Sequence, residues 1–487
     1  MNIYFYFPLL FSTICFSYSD GRLVFLYTHF RHGPRGPTQL NDDYIDRFGE
    51  KWTNLGELTL VGERMLYLLG IRNRKKYIEE EGFLSEKFDP HEMLIYSMDK
   101  NRAILSCYSI LQGLYPQRVN LGETLTPKQE ENAYPPILEE KEVKDPYIEQ
   151  AIKELKGSAL PHSMMLAPTR MIHQKDIKMG IYKIGDCVEK INNFTENNLK
   201  IKELKEETEK FNEVYSEKLN KYFNRENPKF STKELKKICS EFLSDYTDNR
   251  EMLDFKEKTK IDFDVLKKDC LQFYKLYYFY GYYSDNEKLL PHVESSKIMR
   301  ELLFYMKRRL DADISEINED LNYKDYSRPK LILISGHDVA VACNLVILIK
   351  ALNLNMTTKF HFPRYASQIA LEVRTKSKKC KNYSDYYIVG YFDNTEIFNV
   401  KVDEFINKVE KEIWTDQQVD EYCGFYEKNN DNKEKNVYKV IMIIFICLFV
   451  SCLLIIIFLV YKIYSSNHSK DLKQKIDDID EIILQRT

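Results

Sequence analysis

The sequence predicts an α/β fold: a mostly parallel sheet flanked by helices, with an inserted helical subdomain and one transmembrane helix near the C-terminus. Three observations carry that prediction. The apolar runs LVFLYT (23–28), MLIYS (93–97) and LILIS (331–335) each precede a polar cluster and then a helical pattern, as buried parallel strands with crossover helices do. Residues 199–269 shift to Lys, Glu and Asn with spaced leucines and aromatics, a helical rather than alternating pattern. Residues Val440 to Val460 run without a charge between Lys439 and Lys462, about the length a bilayer core requires.

Each element follows from its local sequence. HFRHGPRGP ends the first strand, MDKNR leads from the second into AILSCYSILQGLY, and GHD leads from the third into VAVACNLVILIKAL. In open α/β sheets ligands sit outside the carboxyl ends of strands, so these three ends converge although far apart in sequence. IALEVRT and DYYIVGYF read as two further strands around a polar connection. KIKELKEETEKFNEVYSEKLNKYF reads as a solvated helical face. YEKNNDNKEKN before the apolar run reads as a polar linker.

The domain layout expected is therefore a signal peptide over 1–19, an ectodomain over 20–426, a linker over 427–439, a span over 440–460 and a tail over 461–487. Within the ectodomain the α/β core takes about 20–120 and 325–426, and the helical subdomain about 121–324. The N-terminal stretch NIYFYFPLLFSTICFS is too short to span a membrane and precedes the small residues of a cleavage site. With the later span, this makes a single-pass type I protein whose bulk lies outside the cytosol, at a lysosomal or endosomal membrane or the cell surface. The sequons at Asn193, Asn355 and Asn382 are candidate glycosylation sites on that body. In the tail, DDIDEIIL (477–484) reads either as an endolysosomal sorting signal or as an amphipathic helix.

At 487 residues the chain is long enough for a sizeable enzymatic core, and its formal net charge of −3 excludes a bulk field suited to nucleic acid. Strong electrostatics must be local. Of ten cysteines, Cys15 falls in the signal and Cys447 and Cys452 in the span. The remaining seven, Cys107, Cys187, Cys239, Cys270, Cys343, Cys380 and Cys423, cannot all pair internally. Cys107 and Cys343 sit in apolar helical contexts that suit buried thiols as well as disulfides. No zinc-type spacing is present, and no metal or cofactor is expected.

The chemistry concentrates in RHGPRGP, where Arg31, His32 and Arg35 surround Gly33 at a strand end. Glycine lets backbone N–H groups approach an anion, and guanidinium forks match phosphate oxygens. Arg102 after the second strand adds a third fork, and the cluster lowers the pKa of a nearby imidazole. Neutral His32 is thus a candidate nucleophile toward phosphorus. At the third strand end His337 is a further phosphate donor. Asp338 is the candidate acid for the leaving oxygen, its pKa raised by like charge beside a dianionic ester.

RHGPRGP with the later DKNR and GHD resembles the histidine acid phosphatases, branch 2 of the histidine phosphatase superfamily, which includes lysosomal and prostatic acid phosphatases and histidine acid phytases. LTLVGERMLYLLGIRNRKKY, the LYP at 114–116, CVEKINNFT and PRYASQ extend the likeness from about Arg22 to Cys423. The resemblance implies a phosphoglycerate-mutase-like fold and a phosphorylated His32. It further implies phosphate binding by Arg31, Arg35, Arg102 and His337, and proton donation by Asp338. It also implies a homodimer, since members often pair. Two positions depart from the family: Gln368 replaces a cysteine, so familial disulfides do not transfer, and Pro34 stands where relatives often have Asp or Ala.

The expected substrate is a small-molecule or phosphoprotein phosphomonoester. A nonspecific acid phosphatase is favoured over a phytase or a lysophosphatidate phosphatase. The rival from another class is a noncatalytic surface receptor for phosphorylated ligands, against which the intact acid Asp338 speaks. His29 reads as packed in the strand, and His91, His162, His173, His292 and His361 as surface or structural.

Overall fold

The computed structural model describes residues 21–38, 55–116, 125–131, 133, 146–160, 166–172, 202–223, 226, 228–248, 253–280, 289–315, 328–355 and 360–484. The chain forms two compact units, residues 1–419 and 420–487. The expected signal peptide, Asn193, Cys187, His162 and His173 lie outside the described residues.

The first unit is built on seven strands: β1 (Arg22–Arg31), β2 (Met93–Met98), β3 (Arg170–Ile172), β4 (Leu331–Gly336), β5 (Gln368–Thr375), β6 (Tyr386–Phe392) and β7 (Thr395–Lys401). Their order is β3-β2-β4-β1-β5-β6-β7. The half that includes β3, β2, β4 and β1 is parallel, and β5 to β7 run antiparallel from β1 outward. The sheet is therefore mixed, and its parallel half carries the three predicted strand ends. Register brings those ends level: Arg31 pairs with Gly336, and Ser97 with Ser335.

β1 is central and apolar on both sides, as its uninterrupted run requires. Tyr27 packs with residues of α6 (Leu289–Ile314), α7 (Asp338–Leu352) and α8 (Val402–Glu412), whereas Leu26 and Phe30 join a second cluster with α1 (Leu60–Arg74) and α2 (Asn101–Leu114). Full burial of side chains of this size contributes about 1.5–3 kcal/mol each. α1 and α2 cross where Gly70 meets Gly113: a Cβ on Gly70 would lie 2.1 Å from the Ile110 carbonyl oxygen. That close crossing holds α1 against the start of the phosphate-type loop.

Between β3 and β4, the helices α3 (Lys202–Phe223), α4 (Thr232–Thr247) and α5 (Phe263–Tyr274) gather around Phe242, Phe255 and Phe273. This cluster also takes in Ala342, Cys343 and Val346 of α7. Ser231 caps α4 in a reciprocal capping box with Glu234. A disulfide joins Cys239 of α4 to Cys270 of α5, Cys423 is also disulfide-bonded, and Cys107, Cys343 and Cys380 are buried free thiols.

In the second unit, α9 (Phe425–Leu484) is one continuous helix with neither Gly nor Pro to break it. It includes Tyr438–Ser465, 28 residues whose most apolar 18-residue stretch has a mean hydropathy of 3.5, long and apolar enough to cross a membrane. The stretch read from sequence as a linker, and the tail as far as Leu484, are helical as well. Asn and Lys runs suppress core formation, yet nothing in them forbids helix.

Candidate active site

Strand β1 runs three residues further than its apolar run, so Arg31 ends the strand and His32 begins the loop. The loop is held from four sides. The His32 N–H donates to the Gly336 carbonyl at 2.9 Å, and the Arg31 N–H to that of Ser367 at 2.9 Å. The Ala366 N–H donates to the His32 carbonyl, and the Gly33 N–H to Ser106 Oγ at 3.0 Å. Thr59, which caps α1 by accepting from the Gly62 N–H, donates its own N–H to the Pro34 carbonyl at 3.0 Å. Gly33 packs so closely that a Cβ there would lie 2.7 Å from the Gly62 oxygen and 2.8 Å from its Cα.

His32 is almost wholly buried. Its Nδ1 lies 2.8 Å from the Gly33 carbonyl oxygen. A carbonyl only accepts, so Nδ1 carries the proton and Nε2 keeps its lone pair. Arg102 Nε donates toward that Nε2 at 3.3 Å. The His337 ring stands edge-on at 5.3 Å between centroids, and the Tyr365 ring at 5.8 Å. Burial, then the charges of His337, Arg31, Arg35 and Arg102, hold the His32 pKa well below 6.5.

The cations are themselves pinned. Arg31 donates to the Pro363 carbonyl at 2.9 Å, reaches Asp338 Oδ2 at 2.9 Å and lies over the Tyr365 ring at 4.2 Å. Arg35 donates to the Gly36 carbonyl at 2.8 Å. Arg102 is pulled down to about 10 by burial and then by the neighbouring charge of Arg35, a measure of how crowded the positive charge is. His337 is lowered to about 3, first by burial and then by Arg102.

Asp338 opens α7, with its Oδ1 accepting from the Val339 N–H at 2.9 Å. Burial pushes its carboxyl up, but Arg31, Arg35, His337 and the Val339 N–H outweigh burial and hold the pKa below 3.8. That direction is opposite to the one a dianionic ester alone would impose, because two guanidinium groups are its nearest charges. All six predicted residues thus come together: Arg31, His32 and Arg35 from β1 and its loop, Arg102 from the start of α2, and His337 and Asp338 from the end of β4.

A model of the histidine phosphatase superfamily (branch 2) matches residues 22–392. The chain belongs to that superfamily. It is 33% identical over 108 residues to a lysosomal acid phosphatase of Xenopus laevis, covering 22% of this chain and 24% of the relative. It is 36% identical over 101 residues to a testicular acid phosphatase of Homo sapiens, covering 20% of this chain and 23% of the relative. The chain thus spans about a quarter of the length of these curated relatives. Among solved structures, the apo form of Hafnia alvei phytase superposes with a TM-score of 0.53 at 13% identity, over 83% of this chain and 98% of that one. This shows the shared fold.

Further residues pack against the six predicted positions. Ser106 is one helical turn after Arg102, so the i, i+4 spacing was a readable signal for a loop anchor. Tyr365, inside the PRYASQ stretch, covers Arg31. His29 is buried in β1, with Nδ1 2.6 Å from Asn344 Nδ2, as expected for a packed residue. His292 is buried near Glu412 and Trp414, and His361 faces Asp393 at 3.3 Å.

Proposed function

We propose that this protein is a membrane-anchored acid phosphatase that hydrolyses phosphate monoesters through a phosphohistidine intermediate. The observation that carries the proposal is His32 Nε2 left unprotonated beside Arg102, within a buried cluster of three arginines and His337. In the first step Nε2 attacks phosphorus and the P–O ester bond breaks, its electron pair leaving with the ester oxygen. Asp338 gives that oxygen its proton. Arg31, Arg35, Arg102 and His337 hold the phosphoryl oxygens as their charge rises. The Nδ1–H bond to the Gly33 carbonyl steadies the ring as it becomes cationic. In the second step water attacks phosphorus, Asp338 takes a proton from it, and phosphate leaves with His32 restored.

The low carboxyl pKa of Asp338 has a consequence for this cycle. A dianionic ester neutralises Arg31 and Arg35 and adds like charge, so the acid is protonated in the complex rather than before it. Mildly acidic conditions supply that proton, which suits a lysosomal, endosomal or cell-surface ectodomain of type I topology. The apolar stretch of α9 supports the anchor, and exposed Asn355 and Asn382 suit glycosylation.

The test uses the full-length protein in detergent with p-nitrophenyl phosphate, assayed from pH 4 to 8. Wild type turns over, whereas His32→Ala is inactive and does not form the acid-labile, base-stable phosphoenzyme. Full turnover by His32→Ala sinks the mechanism. Phosphate binding by wild type without turnover favours the receptor reading instead.

A further inference from the structure

A cavity of about 940 Å3 opens beside the phosphate-type cluster. The helical insert supplies one wall, with Lys236 of α4 and Lys267 of α5. Another part of the lining is the loop over 362–368 that leads into β5, together with Asp393 of the β6–β7 turn. Among the described residues, the acidic side chains in the lining are Asp338 and Asp393. Asp338 is the proposed acid, and the proposed cycle leaves Asp393 unused.

The loop seats Arg31. Arg31 Nη1 donates to the Pro363 carbonyl at 2.9 Å, and the Arg31 backbone N–H to that of Ser367 at 2.9 Å. The guanidinium carbon lies 4.2 Å from the Tyr365 ring centroid and 5.2 Å from that of Phe362. The Ala366 N–H donates to the His32 carbonyl at 3.3 Å. A shift of this loop therefore carries the Arg31 fork and the backbone of the nucleophile with it. Local preference does not explain the shape of the loop, because Ala366 sits at φ +59°, which residues with a Cβ rarely adopt. Contacts from outside must hold it there.

Asp393 supplies them. It sits at φ +53°, a conformation that Asp tolerates better than most residues. Its N–H donates to the Gln368 carbonyl at 2.8 Å, and its Oδ1 accepts from the Gln368 N–H at 2.9 Å. Its Oδ2 accepts from the Ser367 hydroxyl at 3.2 Å and lies 3.3 Å from His361 Nε2. Both ends of the loop thus converge on one carboxylate, and three of the bonds fall on the two residues directly after Ala366. Burial pushes this carboxyl up, but His361, the Gln368 N–H and the Ser367 hydroxyl outweigh burial and hold the pKa below 3.8, so both oxygens stay acceptors. The turn is fixed in its own right. Asn394 Oδ1 accepts from Arg72 at 2.7 Å, and Arg72 belongs to α1, the helix packed on the His32 loop.

We propose that Asp393 is a positioning residue for Arg31, closing the 361–368 loop into the shape that aims the Arg31 fork at the scissile phosphate. It acts through the loop rather than by touching the phosphate. The inference rests on the phosphatase reading and adds to it a residue from outside the three strand ends.

The experiment measures the dissociation constant of inorganic phosphate by titration calorimetry on the full-length protein in detergent, beside kcat and KM on p-nitrophenyl phosphate. Asp393→Gly deletes the carboxylate at a backbone conformation that glycine adopts freely. It should weaken phosphate binding about tenfold, the scale of one charge-assisted contact, and lower kcat/KM by a similar factor. Asp393→Asn keeps an acceptor for the Gln368 N–H and tolerates the same φ, so it should recover most of that loss. In an Arg31→Gln background, Asp393→Gly should change phosphate binding by less than about twofold, because its route to the anion is gone. General loosening would cost the same in both backgrounds. Wild-type phosphate affinity in Asp393→Gly, or a full loss repeated in the Arg31→Gln background, overturns the proposal. Should Asp393→Gly fail to fold, Ser367→Ala removes one contact of the carboxylate and should weaken phosphate binding about threefold, and an unchanged affinity there overturns the proposal as well. The expected binding pattern in a wild type that does not turn over p-nitrophenyl phosphate overturns the phosphatase reading and leaves the positioning of Arg31 standing.

Discussion

Gly33→Ala is the sharpest single perturbation of the candidate site, because it adds one methyl group where two backbones touch. The new Cβ would lie 2.7 Å from the Gly62 oxygen against 3.4 Å for ordinary contact, so one chain must retreat by about 0.7 Å. Helix α1 cannot absorb this easily, since a Cβ on Gly62 would itself lie 2.4 Å from the Pro34 oxygen and Gly70 is locked against α2. The His32 loop moves instead. Overpacking of this kind costs about 1–3 kcal/mol. A displacement approaching 1 Å at a nucleophile costs up to about 100-fold in rate. The variant should therefore fold with a lowered Tm and lose roughly 10- to 100-fold in kcat on p-nitrophenyl phosphate. Wild-type kcat together with wild-type Tm would refute the claim that this contact sets the position of His32.

Three further outcomes follow from the same contacts. Ser106→Ala removes the acceptor of the Gly33 N–H and should cost about 1–3 kcal/mol by denaturant unfolding, with a several-fold fall in kcat. Gly336→Ala places a Cβ 2.5 Å from His29 Nε2, so it should be destabilising alone and partly rescued by His29→Ala. A double-mutant cycle should give a coupling of about 1 kcal/mol or more, and strict additivity would exclude the contact. The third concerns pH. Burial lowers His29 from 6.5 to about 3, so the folded protein keeps it neutral where the unfolded chain takes up a proton. Stability from this group is full above about pH 6.5 and is lost as pH falls toward 3, by about 3 kcal/mol at pH 4. The lowered His337 acts with the same sign, and so do the lowered carboxylates Glu372 and Asp313 at still lower pH. Melting temperatures should drop from pH 7 to 4, and a flat profile would contradict these burials.

The six site positions were legible because each follows an apolar run, and parallel strands bring such ends to one edge. The runs at 23–28, 93–97 and 331–335 became β1, β2 and β4, and the two later ones became β5 and β6. β3 was illegible because three residues, RMI, give no period, and β7 because TEIFNVK follows its partner by a two-residue turn without the usual Asn-Gly signal. The direction of the antiparallel half could not be read either, since direction depends on connections rather than composition. The 199–269 stretch that includes α4 was legible as helical, but not which of its polar positions line the cavity. A 3.6-residue period reports two faces and is silent on whether the polar one meets water or a cavity.

The bridge between α4 and α5 has a bearing on which wall of the cavity keeps its shape. Cys239 lies three residues after Lys236 and Cys270 three after Lys267, so the linkage braces the two helices that carry the cavity-lining lysines. Arg31, His32 and Arg35 stand at the end of β1, outside that brace. Reduction of this bridge would therefore loosen the cavity's lysine wall while leaving the strand-end cluster in place.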